Sequence, residues 1–425
     1  MSNRNNDLAR VHESIDAYCA AHHDFAFDPA SPVVRLHEPT FSAAEINAAV
    51  DCMLSTNVTM GAKVKGFERE YADAFGWRHG VMVNSGSSAN LLAVAAVANP
   101  ATKDGLKPGD EVIVPALSWS TTVWPLVQCG LVPVIVDIDR RTMNIDPAEV
   151  ERAIGPKTRA LMIVPVYGNA CDMDALIDIC NRHSLILIED CCESMGTTYR
   201  GKPVGSFGRV GTFSFYYSHH ITTFEGGICV TDDDEFAESM RILRAHGWVR
   251  ETENRERYHA QYPDIDRRFL FVNVGYNLRP TEMQGAVGSI QLPKLQGFLE
   301  RRRANAAWFA DRLSRFGDFF EFQEQTPDSE HAWFGFTIKV KQGAPFAVAD
   351  ITRALNAANI ETRPIICGNI ARQPAMKLFE HRAVGSLANS DFIMQRAFSF
   401  GNHQGIDERA RAYVADTIEE FIRKL

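Results

Sequence analysis

Five short apolar runs, each ending in a turn or a polar residue, constrain the fold of this chain more than any other feature. Helical segments separate the runs, for example Ser88–Val97 and Asp172–His183. Continuous apolar strands joined by helical crossovers are typical of a parallel sheet covered on both faces. We therefore predict an α/β domain with a mostly parallel central sheet, built from the strands Gly80–Asn84, Glu111–Pro115, Val132–Asp137, Ala160–Pro165 and Leu185–Asp190.

The sequence pattern changes around Pro293, and 425 residues are enough for two or three domains. We predict an N-terminal helix and arm over residues 1–40, a large domain over 41–292 and a smaller α+β domain over 293–425. The first helix is predicted at Leu8–His22. In the smaller domain the predicted helices are Leu295–Phe316, Ala347–Ala358 and Asp407–Lys424, and the predicted strands are Trp333–Val340 and Ile360–Ile366.

The charge balance excludes one broad class of partner. The chain has 44 Lys and Arg residues against 53 Asp and Glu residues, a net charge of −9, whereas broad nucleic-acid binding needs a basic face. No apolar run approaches the roughly 20 residues that span a bilayer, and the polar N-terminus has no signal-peptide pattern. We therefore expect a cytoplasmic protein with no nucleic-acid or membrane partner.

Cysteine spacing bears on metal sites. The nine cysteines include no CxxC pair, so free thiols in a reducing compartment are expected. After Cys229 only Cys367 remains. Because iron–sulfur clusters and structural zinc sites need several cysteines, we expect no metal site.

Polar residues directly after the predicted strands are the candidate site residues, since ligands of open α/β sheets bind outside the carboxyl ends of the strands. Asn84–Asn90 (NSGSSAN) follows one strand and opens a helix. Small residues at a helix N-terminus suit a phosphate, which makes Gly86 and Ser87 candidates. An ordinary Ser/Gly helix cap explains the same residues equally well.

Three further residues after strands could contact a flat heteroaromatic ring. Asp190 could pair with a protonated ring nitrogen, Glu193 could reach a ring substituent and Trp119 could stack on the ring. Each residue also has a plainer explanation, respectively a helix cap, a capping-box partner and a buried core tryptophan.

The segment Thr212–Gly227 (TFSFYYSHHITTFEGG) is the most informative stretch. It resembles the active-site segment of the sugar aminotransferases of the DegT/StrS type, which use pyridoxal phosphate and have the aspartate-aminotransferase-like fold. In that family Ser-Phe precedes a Lys that binds the cofactor covalently, and a Thr-Thr-x-Glu-Gly-Gly turn follows. Here Ser214 matches the serine, His219 stands in place of the Lys, and no Lys occurs between Lys202 and Lys294.

The resemblance extends from about Ser42 to the C-terminus and implies a set of cofactor contacts. It implies pyridoxal 5'-phosphate and pyridoxamine 5'-phosphate held without a covalent bond. A second stretch, Gly275–Gly285 (GYNLRPTEMQG), is similar to the family's Gly-Tyr-Asn element. That similarity implies that Asn277 reaches the cofactor phosphate of a neighbouring subunit, and hence a homodimer with shared active sites; a turn Asn that caps a helix is the alternative. The implied cofactor-binding residues are Gly86, Ser87, Trp119, Asp190, Glu193, Ser214 and Asn277.

A histidine in place of the lysine changes the implied reaction. Imidazole forms no stable covalent bond to the cofactor but moves protons near neutral pH, since its reference pKa is about 6.5. Together with Arg244–Trp248, Arg363-Pro-Ile and Gly401–Gln404, it brings the resemblance nearest to members that remove the C3 hydroxyl of a GDP-linked 4-keto-6-deoxy mannose in lipopolysaccharide sugar biosynthesis. The resemblance then implies a dehydratase in which L-glutamate restores the amine cofactor, 2-oxoglutarate and ammonia are released, and His219 is the proton shuttle.

Other parts of this interpretation stay open. His-bearing relatives with an iron–sulfur cluster carry four C-terminal cysteines, which this chain lacks. An ordinary aminotransferase with another Lys at the ring, a non-catalytic regulatory protein, a different nucleobase and a reactive His220 are the alternatives. Since Arg suits carboxylates and phosphates, Arg250 and Arg363 are candidate substrate-binding residues. His246, which lies near Arg250 in the sequence, and His403, in the turn Gly401–Gln404, are two further candidates.

Overall fold

A computed structural model describes residues 2–425 of the chain. Its helices are α1 (Ser2–His22), α2 (Ala43–Ser55), α3 (Ala62–Phe75), α4 (Gly86–Val97), α5 (Ser120–Gln128), α6 (Pro147–Ala153), α7 (Met173–His183), α8 (Asp234–Arg244), α9 (Arg255–Gln261), α10 (Glu282–Gln291), α11 (Leu295–Leu313), α12 (Val348–Ala357), α13 (Ala388–Arg396) and α14 (Glu408–Arg423). No helix in this range is both long and apolar enough to cross a membrane.

The strands form one large, one small and one minor sheet. They are β1 (His79–Val83), β2 (Glu111–Pro115), β3 (Val132–Val136), β4 (Thr158–Ile163), β5 (Ile186–Asp190), β6 (Thr198–Tyr199), β7 (Lys202–Pro203), β8 (Val210–Ser214), β9 (Gly227–Thr231), β10 (Phe320–Phe322), β11 (Ser329–Glu330), β12 (Gly335–Val340), β13 (Thr362–Arg363), β14 (Arg382–Ala383) and β15 (Ala397–Gly401). The minor sheet is β11-β6-β7.

The large sheet confirms the predicted mostly parallel α/β architecture. Its order is β1-β9-β8-β5-β4-β2-β3-β14. The six neighbouring strands β8, β5, β4, β2, β3 and β14 are parallel to one another. Strand β9 runs antiparallel to both β1 and β8. Buried apolar clusters cover both faces, which explains the continuous apolar runs. All five predicted strands form, with ends within two residues of the predicted ones.

The small sheet is antiparallel, in the order β10-β12-β15-β13. Its core takes side chains from α11, α12 and α14, and also Phe27 and Val34 of the N-terminal arm. The strand predicted at Ile360–Ile366 is only two residues long, Thr362–Arg363. Pro364 follows directly, and a proline has no N–H to extend the ladder of hydrogen bonds.

The C-terminal region does not pack only on itself. Strand β14 adds to the edge of the large sheet beside β3, and Ile370, Met376 and Leu387 belong to the apolar cluster on one face of that sheet. The chain therefore returns to the large sheet between β13 and β15. Ser399 of β15 contacts the segment after β4, since its Oγ lies 3.0 Å from the Tyr167 hydroxyl.

Candidate active site

Asp190 occupies the centre of the site, at the carboxyl end of β5, and is only 3% exposed. Its Oδ2 accepts hydrogen bonds from Asn90 Nδ2 at 2.8 Å and Thr122 Oγ1 at 2.7 Å, and its Oδ1 accepts one from the Cys192 N–H at 3.3 Å. None of these donors is charged, and Asp190 has no ion-pair partner in the part of the chain that the structure describes. A buried carboxylate without a cation is costly, so this side chain is suited to a cationic group of a ligand.

The turn from β1 into α4 forms a cradle beside Asp190. Ser85 caps the helix, since its Oγ accepts from the Ser88 N–H at 3.1 Å. A Cβ at Gly86 would lie 2.5 Å from Ser214 Cβ and 2.7 Å from Ser214 Oγ, so no side chain fits there. The Oγ of the exposed Ser87 donates to Thr121 Oγ1 at 3.2 Å. Free helix N–H groups behind a turn without side-chain bulk suit a phosphate.

Trp119 lies at the start of α5, directly after β2 and its short following turn, and is 49% exposed. The structure therefore places it at the edge of the site rather than in the core, contrary to the plainer explanation of a buried tryptophan. Its free ring face can stack on a flat ligand.

His219 follows β8 on a turn in which its N–H donates to the Tyr216 carbonyl at 2.9 Å. Its ring packs edge-on against Phe334, with centroids 5.1 Å apart. The Nδ1 atom is buried and has no partner among the described residues. Burial and the charges of Arg363 and Arg302 lower the pKa of His219 to about 3, so the ring is neutral at pH 7.

His220 differs from its neighbour in burial. It is fully buried and its Nε2 donates to the Ala332 carbonyl at 3.3 Å. Burial holds its pKa well below the usual value. Because His219 is partly exposed and His220 is not, the arrangement favours His219 as the reactive histidine and His220 as a packing residue.

Glu193 and Tyr167 form a second group at the site. The Tyr167 N–H donates to Glu193 Oε2 at 3.2 Å, and burial raises the pKa of Glu193 to about 7. Tyr167 has a positive φ of 56°, which is uncommon for a residue with a large side chain. Tyr167 was not among the predicted site residues, although it lies four residues after the carboxyl end of β4.

Arg363 joins this group from the small sheet. Its side chain makes no hydrogen bond or ion pair within residues 2–425, and its charge lowers the pKa of both His219 and Glu193. The guanidinium therefore faces the site as an unpaired cation, and such a fork suits a carboxylate or a phosphate.

Four predicted residues lie elsewhere in the chain. Asn277, His246 and Arg250 are exposed. Asn277 Oδ1 accepts from Arg279 Nε at 3.0 Å, the His246 N–H donates to the Tyr276 carbonyl at 2.6 Å, and Arg250 stacks on Trp248. None of the three hydrogen-bonds to the group around Asp190 within the described chain.

His403 is buried and both of its ring nitrogens are used. Nε2 donates to the Arg35 carbonyl at 3.1 Å, and Nδ1 accepts from the Gly405 N–H at 3.2 Å. His403 thus fastens the N-terminal arm, and it has no free nitrogen for a substrate.

We expect the protein to lose stability steeply in mild acid, in part through His403. Burial lowers its folded-state pKa to about 3, against about 6.5 when unfolded. Between these values only the unfolded chain binds the proton, so the free energy of unfolding falls by about 1.4 kcal/mol per pH unit as the pH decreases. The free energy of unfolding can be measured by urea unfolding at pH 7, 6 and 5. Its decrease per pH unit should be smaller in His403→Gln than in the wild type by about that amount. An equal pH dependence in the two proteins would contradict the lowered pKa of His403. The raised pKa of Glu193 has the opposite effect on stability, but it is the same in both proteins and does not affect the difference between them.

The chain is similar to known proteins over most of its length. The sequence profile of the DegT/DnrJ/EryC1/StrS aminotransferase family matches residues 39–419, and the chain belongs to that family. A relative from Yersinia pseudotuberculosis, named GDP-4-keto-6-deoxy-D-mannose 3-dehydratase, is 41% identical over 87% of this chain and 94% of its own length.

Two solved structures are also similar. One is the Escherichia coli GDP-4-keto-6-deoxy-D-mannose-3-dehydratase with bound hydrated PLP, with a TM-score of 0.83 and 38% identity over 91% of this chain and 99% of the other. The second is a GDP-4-keto-6-deoxymannose-3-dehydratase in which PLP and glutamate are trapped together, with the same TM-score and identity over 91% and 100% of the chains.

Proposed function

We propose that this protein is a pyridoxal-phosphate-dependent 3-dehydratase that removes the C3 hydroxyl of a nucleotide-linked 4-keto-6-deoxy sugar, GDP-4-keto-6-deoxy-D-mannose. The observation that carries the proposal is His219, a neutral imidazole with an unpaired nitrogen at the position where the family has its cofactor-binding Lys. The flanking lysines do not replace it: Lys202 Nζ donates to the Ser206 carbonyl, and Lys294 is paired with Glu45.

The residues present fit the cofactor. Asp190, buried without a cation, would pair with the ring nitrogen, and Gly86, Ser87 and Ser214 would hold the phosphate in a cradle that a side chain at Gly86 would fill. Trp119 would cover one ring face and Glu193 would lie near a ring substituent. When bound, the cofactor supplies an amine for bonding to the sugar and a protonated ring that accepts electrons.

His219 moves the protons of this reaction. The neutral imidazole accepts a proton from the carbon next to the reacting amine and donates a proton to the departing C3 hydroxyl. The His219 ring packs edge-on against the Phe334 ring and the Tyr216 ring, with centroids 5.1 Å and 5.9 Å apart. Since no covalent bond ties the cofactor to the chain in this proposal, non-covalent contacts provide all of its binding.

L-Glutamate would restore the amine form of the cofactor, and 2-oxoglutarate and ammonia would be released. Two facts support this part: a similar solved structure holds PLP and glutamate together, and Arg363 is an unpaired cation facing the site. No iron–sulfur cluster takes part in the proposed reaction, since a single cysteine follows Cys229.

The proposal includes a homodimer with shared active sites. Asn277 is exposed, and its segment carries exposed apolar side chains at Phe269, Phe271 and Val274. Exposed apolar side chains grouped in one segment are typical of a protein–protein interface. Asn277 would then reach the cofactor phosphate of the second subunit.

The test is an incubation of the protein with pyridoxamine phosphate, L-glutamate and a panel of nucleotide-linked 4-keto-6-deoxy sugars. We expect ammonia release and, after imine hydrolysis, a 3-deoxy ketone with one oxygen fewer than the substrate, followed by mass spectrometry. A 4-amino sugar product would instead identify an aminotransferase. A cofactor attached to the chain after borohydride reduction would overturn the proposal, and the absence of a spectral change with glutamate would favour a non-catalytic protein.

A further inference from the structure

Residues 34–41 of the N-terminal arm are held between the small domain and the end of α10. The Val34 N–H donates to the Asn359 carbonyl at 2.9 Å, and the Leu36 N–H donates to Glu361 Oε2 at 2.9 Å. Further along, Thr40 Oγ1 donates to Gln291 Oε1 at 2.7 Å. With both ends fixed, the side chains between them have defined positions.

His37 lies in the middle of this arm and lines a small cavity. Its ring packs edge-on against Tyr217, with centroids 4.6 Å apart. The other side chains around the cavity include Tyr167, Ser218, Phe334, Arg363 and Ser399. In the described part of the chain, neither His37 nor Arg363 makes a side-chain hydrogen bond or an ion pair. The cavity thus holds two nitrogen-bearing groups that lack partners.

The cavity borders the reacting centre. Ser218 directly precedes His219, and the Phe334 ring on the cavity wall packs against His219. Tyr167 links the opposite wall to Glu193 through its N–H. A group bound here would therefore lie beside the proton-transferring imidazole.

The size of the cavity limits its ligand. Its volume of about 20 Å³ corresponds to one or two water positions. That space takes a carboxylate but not a nucleoside diphosphate. In an amino acid, the α-carboxylate is attached to the carbon that bears the reacting amine, so it must bind next to the reacting centre.

We propose that His37 binds the α-carboxylate of the amino donor, together with Arg363. The Arg363 guanidinium offers a planar fork to the carboxylate, and a His37 ring N–H offers a further donor. The N-terminal arm then determines the donor specificity of the half-reaction that restores the amine cofactor. This inference rests on the proposed function, and it adds a binding residue 182 positions before His219 in the chain.

The test compares two donors that differ in the α-carboxylate, L-glutamate and 4-aminobutyrate, in the holoenzyme. In His37→Leu, the ratio of kcat/KM for L-glutamate to that for 4-aminobutyrate should fall about tenfold or more, the effect expected for one lost hydrogen bond to a charged group. The Kd of 2-oxoglutarate on the amine-form enzyme, measured by calorimetry, should rise by a similar factor. The KM for the sugar should change by less than about threefold, because a sugar offers no α-carboxylate.

His381→Leu is the matched control, since His381 lies outside the cavity and hydrogen-bonds to the Phe379 carbonyl. It should change none of these values. An equal loss for both donors, or no change in either, would overturn the inference. His37→Gln keeps a donor group and should recover part of the glutamate preference that His37→Leu loses. If His37→Leu does not fold, His37→Gln is compared with the wild type instead. A protein that dehydrates no sugar but still shows the donor effect would refute the proposed function alone.

Discussion

The His219→Asn protein is expected to dehydrate its sugar substrate at least a hundredfold, and up to about ten thousandfold, more slowly than the wild type. Asparagine has a similar size and forms hydrogen bonds, but it does not take up a proton. The contacts proposed for the cofactor come from other residues, so cofactor affinity should change little. Single-turnover dehydration and a fluorescence titration of the cofactor measure the two effects separately.

His220→Asn is the control for this substitution. His220 is fully buried against Phe334 and the Ala332 carbonyl, so its replacement should lower the free energy of unfolding rather than the rate of proton transfer. The rate per folded molecule should stay within a few fold of wild type. Wild-type turnover by His219→Asn, or a large loss of rate in a folded His220→Asn protein, would reassign the reactive histidine.

Asp190→Asn is expected to lower turnover by about a hundredfold or more, the size of effect seen when a preorganised charge is removed from an active site. The carboxylate is held by Asn90, Thr122 and the Cys192 N–H. An amide would keep most of that geometry but would no longer stabilise a protonated ring nitrogen. The measurements are turnover and the pH dependence of the cofactor's absorption.

The same substitution has an opposite expected effect on the protein without cofactor. Because the buried Asp190 charge has no cation nearby among the described residues, its removal should leave the melting temperature of the apoprotein unchanged or higher. Asp137→Asn is a matched control directly after β3. Asp137 also lacks an ion-pair partner among the described residues, but it accepts hydrogen bonds from the Asn389 and Ser390 N–H groups in the first turn of α13, where a negative charge is stabilising. It should lower stability without removing turnover. Full turnover by cofactor-loaded Asp190→Asn would show that this carboxylate is not the partner of the ring.

Local sequence patterns predicted the elements whose side chains are apolar along their whole length. Strands β1 to β5 were recognised for that reason. Strands β8 and β9 (VGTFS and GICVT) and β15 (AFSFG) were not, because glycine and hydroxyl residues interrupt their apolar character. All three are nevertheless buried, since each lies between two other strands of its sheet and its side chains join the apolar clusters on the sheet faces.

The same division applies to the site. Gly86, Trp119, Asp190 and Ser214 follow or end strands of one sheet, and the strand-end rule brings such residues to one edge. Residues from the small domain and the arm obey no such rule. Arg363 and His37 reach the edge only because β13 and the arm pack on the carboxyl end of a sheet formed far away in the chain.

By itself, the sequence determined the parallel sheet and the edge at which chemistry takes place, because these depend on local periodicity. The position of His219 where relatives have a lysine came from the resemblance of its segment to the family. Only the tertiary structure decided which of the two adjacent histidines is accessible. It also decided that His403 hydrogen-bonds to the Arg35 carbonyl and that His37 lies beside Arg363. Burial and partner choice are properties of contacts between distant segments, and a linear pattern does not encode them locally.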